Sequence, residues 1–386
     1  NQPIPNFVRS SMKKFKSLML AALASAALAA PGFAESHGPN VGITGVTGKV
    51  EAALTYGSLS KDNIGTVTTQ DTSMGVVSIN FASDFYDLFF ESDGSTDTTE
   101  RLKVHHTITS GDNTVAAYGE WNDILSGAAT LGNYNVTGGN KTFTLKVGKF
   151  GSSENYAGGM DTSTAKVTQD VSSVFAGYEK HLVIPGFRGL QADIKAGDVN
   201  FELAMPWMNV DAADANLSLG NAPGGTNVTG LRPKVSLTAG SLNVTALAYS
   251  LSFSAADADN DADSKTSNGA QIVGSMAAGS ATIGAGYTTQ TRKDGDADAV
   301  TPNVLNGYVT VALGGGSSVG AYFDISNDGV DEDATTATRV GASYTTPFFV
   351  ESVSLALGIG SATQSSDIDA NSGSASSAKA KWTYAF

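Results

Sequence analysis

The sequence contains no cysteine, so neither a disulfide framework nor a cysteinyl metal site is available to the chain. Cationic side chains are also few: 23 Lys and Arg stand against 37 Asp and Glu, and the formal net charge is −14. Nucleic acid is therefore not an expected partner, because binding it requires a basic face that displaces counterions. Beyond residue 34, no apolar run reaches the length of about 18 residues that a membrane-spanning helix requires.

The longest apolar run lies close to the N-terminus and has the plan of a cleaved export signal. A basic segment around Lys14 precedes it, small residues follow it up to Ala34, and it is too short to span a membrane as a helix. We predict a signal peptide over 12–34, preceded by an upstream extension over 1–11. A single domain over 35–386 follows, which we expect to be exported through the periplasm.

Alternation of apolar and polar residues with a period of two dominates that domain and is typical of β-strands with two different faces. Ile283, Ala285 and Tyr287, for example, alternate with Gly284 and Gly286. Between such segments, short connections that contain glycine alternate with long acidic ones. Transmembrane β-barrels have this arrangement, with short periplasmic turns and long extracellular loops. We therefore predict an all-β, antiparallel transmembrane barrel. A soluble β-sandwich is the alternative, and its connections need not alternate in length.

Two estimates of the number of strands differ slightly. Read segment by segment, the alternation marks 18 candidate strands, of which one lies at 171–180. A hairpin spacing of about 40 residues favours a smaller number. We predict about 16 strands, with 18 as the alternative.

The C-terminal segment combines alternation with aromatic residues: Trp382, Tyr384 and Phe386 share one face. Aromatic rings on the outward face of a barrel suit the membrane–water interface. The segment resembles the last strand of Gram-negative outer-membrane barrels, whose terminal Phe is recognised by the barrel assembly machinery. The resemblance implies an outer-membrane location, with lipid and lipopolysaccharide as surroundings.

The segment 143–151, with the sequence FTLKVGKFG, resembles a strand of the general porin family that leads into an inward-folded loop. The resemblance implies that residues 151–170 form a constriction loop in which Glu154 and Asp161 face basic residues of the wall. It also implies a homotrimer. Hairpins counted back from the C-terminus, however, put the connection after Phe150 on the rim of short turns, whereas a constriction loop belongs to the other rim.

Three basic residues are candidates for the lining of a pore. Lys146 is predicted to point inward, because the residues on the other face of its segment are apolar. Arg232 and Lys234 share a face, although Pro233 between them cannot donate to a strand ladder. The alternative for all three is a solvated charge at a rim.

One acidic segment is a weak candidate for calcium, because its carboxylates recur at every second residue. An EF-hand loop would require Gly at its sixth position and Glu at its twelfth, and counted from Asp259 these places hold Ser264 and Ala270. A solvated loop that bridges lipopolysaccharide through divalent ions is the preferred interpretation. The four carboxylates are Asp257, Asp259, Asp261 and Asp263.

The functional hypothesis is a porin, a water-filled channel for passive diffusion of ions and small hydrophilic solutes. No sequence motif selects catalytic residues, and we expect neither an enzyme nor a cofactor. The alternative is a structural or adhesive outer-membrane barrel that uses its long acidic loops as a surface.

Overall fold

The computed structural model describes most of the predicted barrel domain. The described residues are 45–61, 65–82, 86–92, 98–122, 130–150, 187–206, 227–254, 265–294, 298–330, 335–366 and 372–385. Within these ranges no helix is long and apolar enough to cross a membrane. The predicted upstream extension and signal peptide lie outside them.

Eighteen antiparallel strands form a single sheet in the described residues. Their bounds are β1 Gly45–Lys61, β2 Gly65–Ala82, β3 Tyr86–Ser92, β4 Thr98–Ser110, β5 Asn113–Asn122, β6 Thr130–Gly139, β7 Phe143–Phe150, β8 Phe187–Ala196, β9 Val199–Pro206, β10 Asn227–Ala239, β11 Leu242–Ser254, β12 Lys265–Ala278, β13 Ala281–Asp294, β14 Asn303–Gly314, β15 Ser317–Asn327, β16 Thr335–Phe348, β17 Val350–Ser366 and β18 Gly373–Ala385.

The sheet is closed into a ring. Each strand pairs with the strands before and after it in the sequence, from β1–β2 through to β17–β18. The first strand also pairs with the last, in a register that runs from Lys49 opposite Ala385 to Lys61 opposite Gly373. A closed ring has no exposed strand edge. The prediction of an all-β antiparallel barrel is confirmed.

The preferred count of 16 strands is wrong, and the alternative of 18 is confirmed for the described residues. The strands run from Gly45 to Ala385, so nine hairpins share 341 residues, or about 38 each. A spacing of about 40 residues per hairpin is therefore compatible with 18 strands. The strand list omitted β6. Its segment 171–180 lies outside the described residues, and in the described sheet β7 pairs directly with β8.

This direct pairing also resolves the conflict over the rims. Connections from an even-numbered to an odd-numbered strand are short, as at 197–198 and 240–241. Those from an odd-numbered to an even-numbered strand include 151–186 and 207–226. The connection after Phe150 therefore belongs to the rim of long connections, and the expectation that placed it on the other rim is wrong.

The two faces of the strands differ in the sense opposite to that of a water-soluble protein. In β15, Val319, Phe323 and Ile325 are exposed, whereas Asp324 and Ser326 on the other face are buried. Polar residues line the inside of the ring and apolar residues cover its outside. This inversion is the arrangement expected when the outside contacts lipid.

Most of the described short turns place one residue in the left-handed region of backbone conformation. Five of them place a glycine in the left-handed region, with φ between 58° and 63°. The turn between β16 and β17 has Phe349 there, with φ 64°. A side chain in this region costs about 1–2 kcal/mol. The five glycines are Gly111, Gly197, Gly240, Gly279 and Gly315.

The lipid-facing surface can be tested by introducing a charge on each face of adjacent strands. Ile359 is 64% exposed on the outward face of β17, near the middle of the strand. We expect Ile359→Arg to lower the free energy of unfolding by about 2–4 kcal/mol, because the guanidinium would enter hydrocarbon. The measurement is urea unfolding of the protein in lipid vesicles.

The control is Ser343→Arg, on the inward face of the neighbouring β16. It should change the free energy of unfolding by less than about 1 kcal/mol, as a solvated substitution does. Equal effects of the two substitutions would contradict the assignment of the faces.

Candidate lumenal charge cluster

Four neighbouring strands, β7 to β10, bring charged residues together on the inward face of the ring. The strand registers align them in two rows that run across the strands. The first row is Lys146, Gln191, Ala204 and Arg232, and the second is Thr144, Asp193, Glu202 and Lys234.

Glu202 is the centre of this cluster. The Arg232 guanidinium donates to its Oε1 through Nη2, and the Lys234 ammonium lies 2.7 Å from its Oε2. The same Arg232 Nη2 donates to Gln191 Oε1 at 3.4 Å, and Gln191 Nε2 donates to Asp193 Oδ2 at 3.2 Å. One carboxylate thus accepts from two cations, and an amide links this group to a second carboxylate.

Burial makes these contacts energetically important. The side chain of Arg232 is 0% exposed, that of Glu202 7% and that of Lys234 16%. A buried charge without a partner carries a desolvation penalty of several kcal/mol. The two carboxylate oxygens of Glu202 each meet a cation, so the charges compensate one another in place.

The structure places Arg232 and Lys234 on the inward face, opposite the exposed Leu231, Val235 and Leu237, as the alternation predicts. Strand pairing is interrupted locally at Pro233. The β10–β11 register has no pair at 232 or 233, whereas the β9–β10 register continues through both. The absence of a proline N–H accounts for that interruption.

Lys146 is half-buried in the same rows, on the inward face of β7. Lys149 lies one residue before the end of β7 and is buried. Glu154 and Asp161 lie outside the described residues. The same is true of the calcium candidates Asp257, Asp259, Asp261 and Asp263.

A second buried ion pair lies elsewhere on the wall. Arg339 in β16 stands directly opposite Asp324 in β15, and its Nε donates to Asp324 Oδ1 at 2.7 Å. Sequence analysis did not identify this pair. A usable signal was present, because each residue is the one charged member of its own strand.

A third group of charges lies on β3 to β5. The register sets Lys103 between Asp87 and Glu120, and Glu120 accepts from the Tyr118 hydroxyl at 2.6 Å. His105 Nε2 lies 3.7 Å from Asp87 Oδ2. His106 points to the opposite, exposed face, as expected for adjacent strand residues. In the part of the chain that the structure describes, no group of three or more His, Asp or Glu could hold a metal ion.

Acidic residues outnumber basic ones in the whole chain, but not on the described inward wall. Where side chains are described, the inward basic residues outnumber the inward acidic ones. The basic residues are Arg101, Lys103, Lys146, Lys195, Arg232, Lys234, Arg292, Arg339, Lys379 and Lys381, and the acidic ones are Asp87, Glu120, Asp193, Glu202 and Asp324.

The energetic role of the cluster can be tested at Glu202. We expect Glu202→Gln to lower the free energy of unfolding by about 3–5 kcal/mol, because it leaves two buried cations without a counter-charge. Urea unfolding in vesicles measures the loss. The control is Asp112→Asn, which breaks an exposed pair with Lys141 (Nζ–Oδ1 2.9 Å) and should cost less than about 1 kcal/mol. Similar losses in both variants would contradict the argument.

Neither a protein-family model nor a curated protein sequence matches this chain. Solved structures do match it over 89% of its length. The anion-selective porin of Comamonas acidovorans has a TM-score of 0.53 at 12% identity and is covered to 99%. OmpF of Salmonella typhi has 0.52 at 12% and is covered to 97%. A trimer form of OmpT, an outer membrane protein of Vibrio cholerae, has 0.50 at 10% and is covered to 99%. The chain therefore has the fold of the Gram-negative outer-membrane porins.

Proposed function

We propose that the protein is an outer-membrane porin, a water-filled channel for passive diffusion of ions and small hydrophilic solutes. The observation that carries the proposal is the inversion of the two faces on a closed ring: charged side chains line the inside, and apolar side chains are exposed outside. A ring of 16–18 strands is wide enough to leave an aqueous channel. Such a channel requires a polar lining and positioned charges, but no catalytic group.

Burial along the inward face supports a lumen that narrows towards one rim. Inward residues towards the long connections are buried, as at Ser267, Ser326 and Thr335. Those towards the short turns, such as Thr282 and Thr345, are partly exposed. This gradient is what an inward-folded long connection would produce. We therefore keep residues 151–170 as the proposed constriction loop, with Glu154 and Asp161 facing the basic residues of the wall.

The wider biological setting is also part of the proposal. The fold supports a location in the outer membrane of a Gram-negative bacterium, reached through the periplasm after the leader at 12–34 is removed. Recognition by the barrel assembly machinery, through the C-terminal segment that contains Trp382, Tyr384 and Phe386, is part of the same proposal. The trimeric relative in fold favours a homotrimer. Asp257 and its neighbouring carboxylates are proposed to bridge lipopolysaccharide, with specific calcium binding as the weaker alternative.

Conductance of the purified protein in planar bilayers tests the channel. Stepwise current increases in groups of three would support a trimeric porin. Protein that migrates as a folded, heat-modifiable barrel in detergent gels but carries no current would refute the channel. That outcome would favour the structural or adhesive alternative.

Ion selectivity tests the wall residues. Lys146→Glu should shift the reversal potential in a KCl gradient towards cation permeation, because a lining charge attracts ions of opposite sign. Lys146→Gln should produce about half of that shift, since it removes one charge rather than two. The control is Lys141→Glu, the same charge change at an 85% exposed turn on the rim. An equal shift in the control, or none at Lys146, would contradict a lumenal position.

A further inference from the structure

The turn between β16 and β17 differs chemically from the other short turns. At the turns that begin with Gly111, Gly197, Gly240 and Gly279, the left-handed glycine is followed by Asp or Ser. The β16–β17 turn instead reads Pro347-Phe348-Phe349-Val350. We call residues 347–353, which also contain Glu351 and Ser352, the apolar tip.

Phe349 is the most exposed large apolar residue among those described, at 93%. It also holds the left-handed conformation for which the other turns use glycine. Both features are unfavourable in water: the backbone is strained, and an aromatic ring faces solvent. A glycine would remove both, so the ring at this place needs an environment other than water to be favourable.

The direction of the apolar tip follows from its neighbours. The ring of Phe349 packs against that of Phe348, with centroids 4.2 Å apart and an edge-to-face angle of 65°. Phe348 lies on the same face of β16 as Tyr344, which is exposed on the outside of the barrel. The pair therefore continues the outward face rather than the lumenal one.

The apolar tip also adjoins an aromatic band on the outside. Trp382 and Tyr384 in β18 are exposed on the outward face close to the same rim, and Val353 of the tip is directly opposite Tyr384. Aromatic side chains at this height suit the membrane–water interface. The tip thus extends the band at the seam where β18 meets β1.

The register shows that the tip is bulged. Pro347 pairs with Ser354 and Phe348 with Val350, so three residues of β17 are without a partner in β16. Phe349 is the one residue between the last pair, and its ring stands at the end of the hairpin. From these observations we propose that the apolar tip inserts into the lipid headgroup region of the leaflet that borders the short-turn rim. It anchors the barrel there beside the β18–β1 seam.

This inference rests on the proposed membrane location but not on an open channel. Because the sequence contains no cysteine, a single cysteine can be spin-labelled without background. The test uses Phe349→Cys in the full chain, reconstituted in phosphatidylcholine–phosphatidylglycerol vesicles. Accessibility of the label to oxygen, which concentrates in lipid, is compared with its accessibility to a water-soluble nickel complex. The matched control is Asp198→Cys in the β8–β9 turn of the same rim.

We expect the label at 349 to collide more with oxygen and the label at 198 to collide more with the nickel complex. Water-like accessibility at both positions overturns the proposal. Lipid-like accessibility at both overturns it as well, since the whole rim would then lie in the interface. A label at 349 that is shielded from both reagents shows that a protein, either a second copy or a periplasmic partner, covers the tip instead.

Folding of each variant is checked by heat-modifiable migration in detergent gels. If Phe349→Cys fails to fold, Phe348→Cys probes the same tip from the outward face of β16. The readings predicted for 349 then apply to 348. Failure of the channel would leave these readings unchanged, so the anchor and the channel can be refuted separately.

Discussion

The closure of the sheet is the constraint on which the rest of the structure depends. In hydrocarbon no water is present to satisfy a backbone N–H or C=O, so a sheet can cross a membrane only if it has no free edge. Pairing of β1 with β18 along thirteen register positions, from Lys49 to Lys61, removes that edge. The last strand therefore must form before the barrel is complete.

Closure in turn restricts which type of side chain, apolar or polar, is favourable at each position of a strand. Successive residues of a strand point to opposite sides, so every strand supplies one lipid face and one lumenal face. Away from the strand ends, the described charged side chains lie on the lumenal face, and the most buried of them are stabilised by partners. Arg232 with Glu202, and Arg339 with Asp324, show the same solution on two parts of the wall: a cation and a carboxylate on adjacent strands at neighbouring heights.

The sequence predicted features that depend on local pattern and missed those that depend on register. Alternation identified the barrel and the inward face of Arg232 and Lys234, because both follow from the period of two. It could not show that Glu202 meets both cations, since that contact joins strands separated by a long connection. Strand β6 was missed for a local reason. Its residues 130–139 are rich in Gly and Asn, and a bulge after Gly119 shifts the register of its pairing with β5.

The net charge of the chain does not show that the connections are acidic whereas the described inward wall is basic. The formal charge of −14 comes from acidic connections such as 255–264 rather than from the described inward wall, where basic residues outnumber acidic ones. Screening limits the reach of exposed charges to about 8 Å at physiological ionic strength. Arg232 lies five residues inside the end of β10 at Asn227, which is about 17 Å along the strand. Under the proposed function, the basic residues of the wall therefore set the preference between anions and cations inside the barrel more than acids of connections such as 255–264 do.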